Sequence, residues 1–113
     1  MTNVADFPSG RFTWKERALV VEWGVAARPY GVHGAHVDYI TGDGSFAPHD
    51  MVLVETVKGE TSHMIRREAP RVWRMVCGRT QEVLGDFPTL RDALAFIRPV
   101  FADPLAGPRR PAA

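Results

Sequence analysis

The chain has 113 residues, one cysteine, 45% hydrophobic and 24% charged positions, and a formal net charge of +1. That length holds one domain and excludes two ordinary ones, and the composition excludes wholesale disorder. The lone Cys77 excludes an intramolecular disulfide and a cysteine-rich zinc site.

Residues 1–10 read as a flexible lead, because Met1 to Gly10 carries Asp6 and Pro8 but neither a basic n-region nor an apolar h-region. No apolar run approaches the roughly 20 residues needed to cross a bilayer, so a cytoplasmic protein is expected. Arg11 to Lys15 fits a short strand with Phe12 and Trp14 on one side. Ala18 to Val25 alternates Leu19, Val21, Trp23 and Val25 against Glu22 and Gly24, the pattern of a half-buried antiparallel strand. Arg28-Pro-Tyr-Gly31 is a loop, and alternation resumes from His33 to Thr41.

Gly42 to Ser45 is a turn signal, and Met51 to Val57, apolar on both sides, reads as a central strand. Lys58-Gly59 joins it to a partner strand, Glu60 to Arg67, which Ala69-Pro70 ends. Arg71 to Cys77 and Thr80 to Phe87 form a hairpin, with Gly78-Arg79 fitting a two-residue type II′ turn. Thr89 then caps a helix whose apolar stripe is Leu90, Leu94, Ile97 and Phe101, and Pro99 stops it. Residues 102–113, with three prolines and Arg109-Arg110, read as a disordered tail.

These elements predict a single α+β domain over residues 11–101: a curved antiparallel sheet of about five to six strands packed on one C-terminal helix. A small β-barrel with a terminal helix is the alternative. Trp14, Trp23 and Trp73 are the expected core anchors. The hairpin-to-helix junction from Trp73 to Ala93 carries only residues that any such junction needs, and assigns no family.

Three constellations bear on function. His36 and Asp38 share a strand face, and His49 would approach them if the flanking strands pair; imidazole and carboxylate suit a divalent metal. The spacing matches no established metal signature, and histidines in such positions are ordinarily just polar strand residues. Arg66, Arg67, Arg71, Arg74 and Arg79 surround Trp73, an arrangement able to bind single-stranded nucleic acid through phosphates and base stacking. A pI near 8.0 is modest for such a binder, and a solvated strand face accounts for the same residues. Catalysis has less support: Ser62 and His63 are adjacent and should point apart on a regular strand, and Cys77 is expected inward beside Met75, inert. No phosphate-binding or nucleophile-elbow motif occurs.

One helix cannot cover Val52, Val54, Val72, Val76 and Ile40 together, so a partly apolar sheet face is left over. The expectation is therefore a non-enzymatic accessory domain without a cofactor, binding a partner protein or small ligand, or self-associating, through that face. Nucleic-acid binding and metal-dependent activity follow in that order.

Overall fold

The computed structural model describes residues 10–41 and 48–101. The expected lead, the Gly42 to Ser45 turn and the tail lie essentially outside them.

The first element is a helix, α1 (Trp14–Ala27), where two strands are expected. Its start is a capping box: Thr13 Oγ1 accepts from the Glu16 amide at 3.1 Å, and Glu16 Oε1 accepts from the Thr13 amide at 2.7 Å. Val20, Trp23, Gly24 and Ala27, at i, i+3, i+4 and i+7, form its buried stripe. The alternation of Leu19, Val21, Trp23 and Val25 is real in the sequence, but the capped helical stripe fits the core and prevails. Trp23 is 1% exposed and Trp73 3%, so both anchor the core, whereas Trp14 is 74% exposed and does not.

A short 3-10 turn, Arg28–Tyr30, leads into the strands β1 (Gly34–Ile40), β2 (His49–Val57), β3 (Glu60–Ala69), β4 (Val72–Cys77) and β5 (Val83–Phe87). They form one antiparallel meander in the order β1-β2-β3-β4-β5, an open sheet with β1 and β5 at its edges and not a barrel. The chain closes with α2 (Leu90–Ile97), whose N-cap Thr89 accepts from the Asp92 amide at 3.0 Å. The helix stops before Arg98, which is extended, as Pro99 requires of the residue preceding it. No helix among the described residues is long and apolar enough to cross a membrane.

Both helices cover the same sheet face. Strand alternation sends Val52, Val54, Ile65, Trp73 and Met75 to that side, where they meet Val20, Trp23, Leu90, Ala93, Leu94 and Ile97. Phe12 packs edge-on against Trp73 with ring centroids 5.1 Å apart. Gly24 permits the close approach of α1 to β1, since a Cβ there would sit 3.3 Å from the Ala35 Cβ. A mid-helix glycine costs about 1 kcal/mol relative to alanine, which this contact offsets. Arg98 joins the two helices: its Nε donates to the Tyr30 carbonyl at 2.7 Å and its own carbonyl accepts from Trp23 Nε1 at 3.0 Å.

Asp50 supplies a buried polar tie between α1 and the sheet. It lies on the inward register of β2 with Val52 and Val54 and is 0% exposed. Its Oδ2 accepts from the Phe12 amide at 2.8 Å, Arg11 Nε at 3.1 Å and Arg17 Nη2 at 3.0 Å. Arg11 also stacks over Tyr39, 4.4 Å from its ring centroid. One carboxylate thus fixes the segment before α1, its first turn and β2 together.

The β4–β5 connection also departs from expectation. It is a loop of five residues, 78–82, in which Gln81 takes the positive φ of 68° and its amide donates to the Cys77 carbonyl at 2.8 Å. Gly78 is needed for proximity: a Cβ there would fall 2.1 Å from the Thr61 carbonyl oxygen.

Candidate binding face

The strand residues that do not point at the helices form an open second face. One ladder crosses the whole sheet: His36 pairs with Leu53, Leu53 with Met64, Met64 with Val76 and Val76 with Val83. Beside it run Asp38 opposite Met51, and Arg66 opposite Arg74 opposite Asp86. The first ladder is apolar from Leu53 onward, because the alternation that buries Val52, Val54 and Met75 places Leu53 and Val76 outward. Val76 is buried among its neighbours although no helix covers it.

The charges on this face are arranged in pairs. Arg74 makes two hydrogen bonds to Asp86, at 2.9 and 3.1 Å, and Arg66 is paired with Glu68. The Arg74 hydrogen bond, helped by the charges of Arg74 and Arg66, holds the Asp86 carboxyl below its ordinary range. Two arginines placed directly opposite each other would repel, and a carboxylate at either end offsets that. His36 Nε2 lies 3.6 Å from Asp38 Oδ2.

Between these pairs, one end of the face opens into a shallow cleft of about 660 Å³. Ile40, Met51 and Met64 give it an apolar floor, with His49, Arg66, Arg67 and Glu68 around it. A second recess, between α1, α2 and Phe101, is about 70 Å³ and admits no more than a few waters.

The arginines of the sequence-predicted cluster take different positions. Arg66 and Arg74 share the open face. Arg67 stacks over Trp73 at 5.6 Å from its ring centroid, Arg71 is exposed where β3 turns into β4, and Arg79 is exposed in the next loop. Trp73 is enclosed under the helices, so its ring offers no platform for a base. Of the three metal candidates, His36 and Asp38 adjoin, while His49 pairs with Ile40 on the same face. Among the described residues no group of three or more histidine, cysteine, aspartate or glutamate side chains comes together as a metal site.

Sequence reasoning overlooked one polar cluster. Ser62 and His63 do not diverge: Ser62 Oγ lies 2.8 Å from His63 Nδ1 and donates to the Val54 carbonyl at 3.1 Å. The cause is a β-bulge, since Val54 pairs with His63 but Glu55 pairs with Thr61, leaving Ser62 as the extra residue and re-aiming its side chain. With the Ser62 proton on the Val54 carbonyl, a hydrogen bond between His63 Nδ1 and Oγ requires the Nδ1–H tautomer. Burial, with a smaller effect from the Arg98 guanidinium, pushes the His63 imidazole below 6.5.

Directly across from His63 stands Cys77. It is half-buried, not sealed in the core as expected, because the β4–β5 loop begins there. The Thr80 side chain and the backbone amides of Thr80 and Arg79 hold its thiol below the ordinary value. A glycine or proline within the β2–β3 pairing would have been a visible bulge signal; Ser62 gives none.

No family model, curated protein or solved structure matches this chain.

Proposed function

We propose that this chain is a non-enzymatic binding domain that receives apolar groups of a partner protein, or a small apolar ligand, on the open face of its sheet. The observation that carries the reading is the cleft of about 660 Å³ over Ile40, Met51 and Met64. Its size lies within the range of ligand sites, roughly 300–1,000 Å³. Methionine side chains adapt to irregular apolar surfaces, and paired charges around an apolar floor reproduce the division of a protein interface into core and rim. The pairing of Arg66 with Glu68 and of Arg74 with Asp86 favours this over phosphate capture, for which those guanidiniums would first have to leave their carboxylates. A chain with one cysteine suits a reducing compartment, and we place it in the cytoplasm.

The experiment is a fluorescence titration with the apolar dye 1-anilinonaphthalene-8-sulfonate. Wild type is expected to bind it saturably, and Met64→Glu to lose most of that signal, while Val21→Ser, on the outer side of α1, keeps it. Equal binding by wild type and Met64→Glu would reject the reading. Saturable binding of oligo-dT that weakens with added salt would favour the arginine surface instead.

A further inference from the structure

We propose that a second copy of this chain docks on the outer side of α1, with the two helices antiparallel about a two-fold axis. Trp14, Ala18, Val21 and Val25 fall at i, i+4, i+7 and i+11, which places them within an arc of about 60° on the helix. That arc is turned away from the buried stripe of Val20, Trp23, Gly24 and Ala27. Trp14, Val21 and Val25 are 74%, 60% and 61% exposed. The fold of one copy is complete without them. An apolar seam repeating by fours and threes is what two helices need in order to interlock.

Charge identifies the occupant. Lys15 and Glu22 are both exposed and stand together on one flank of the seam, seven residues or roughly 10 Å apart along the axis. Neither takes part in an ion pair among the described residues. A two-fold axis crossing the seam midway between Ala18 and Val21 brings Trp14 opposite Val25 of the second copy and Lys15 close to its Glu22. The same pair forms again at the other end, as an interface of identical patches requires. A parallel pairing, whose two-fold axis runs along the seam, would set this flank against the opposite flank of the second copy, so that Lys15 and Glu22 would not meet. On the other flank Arg17 is held by Asp50 and adds no competing charge to the seam. A seam of one 14-residue helix is smaller than a standard interface, so association should be weak, with a dissociation constant on the order of 10–100 µM.

Sedimentation equilibrium of the full chain across that concentration range tests the proposal. Wild type should pass from monomer to dimer, and Val21→Ser, with helical circular dichroism unchanged, should remain monomeric. Lys15→Glu should weaken the dimer by about fivefold or more, and Lys15→Glu combined with Glu22→Lys should restore it to within about twofold. A wild type that is monomeric throughout would overturn the proposal, as would a dimer indifferent to Val21→Ser. Failure of the double charge reversal to restore the dimer would overturn the antiparallel arrangement.

Discussion

The two faces of the sheet use the same strands and differ in how far they are closed to solvent. On the covered face, Val52, Val54, Ile65 and Met75 meet two helices and are closed to solvent. On the open face, Leu53, Met64 and Met51 are only half-buried, and the charged residues satisfy one another locally. Because successive strand residues point to opposite sides, each strand contributes to both. Stability is thereby concentrated on one side, and substitutions on the other should cost the fold less.

The largest expected effect comes from the covered face. Leu94→Ala, emptying a site that is 1% exposed, should cost about 2–5 kcal/mol by urea denaturation, whereas Met64→Gln on the open face should cost under about 1.5 kcal/mol. Comparable losses at the two positions would erase the distinction between the faces. Next is Asp50→Ala, expected to cost roughly 2–4 kcal/mol, because the Phe12 amide loses its buried acceptor and two arginines lose their anchor. The unfolding transition should report this together with faster exchange of amides in the first turn of α1.

A smaller effect should appear with pH. Since the folded state lowers the His63 value below 6.5, the unfolded chain takes up its proton first on acidification. Stability attributable to His63 is therefore full above 6.5 and declines as pH falls below it, through the lower folded value. His63→Gln should flatten the urea midpoint between pH 7 and 5 relative to wild type; an unchanged slope would contradict the assignment. The smallest change in the structure concerns Cys77: alkylation by iodoacetamide at pH 7 should be faster than for an unstructured cysteine, and Thr80→Val should slow it.

The meander from β1 to β5 and the capped α2 are legible in the sequence, since alternation, Lys58-Gly59, Thr89 and Pro99 each fix a boundary by local chemistry. The first helix is not, for a specific reason. Trp14, Val21 and Val25 put apolar residues on its outer side as well, so the helical period is blurred and a two-residue alternation shows through. The Thr13…Glu16 capping box was the signal able to decide it. Asp50 was equally readable in hindsight of the register, as an acid in phase with Val52 and Val54. The Ser62 to His63 contact was not, because it depends on a bulge set by long-range pairing.

Placement of the binding surface on the open face is tested most directly by the methionine methyl spectrum of ¹³C-methyl-labelled protein, titrated with 1-anilinonaphthalene-8-sulfonate. Met51 and Met64 border the cleft, while Met75 is sealed on the other side of the same sheet. The Met51 and Met64 resonances should move together with one saturation curve while that of Met75 stays fixed. Movement of Met75 alone, or no movement at Met51 and Met64, would contradict the account.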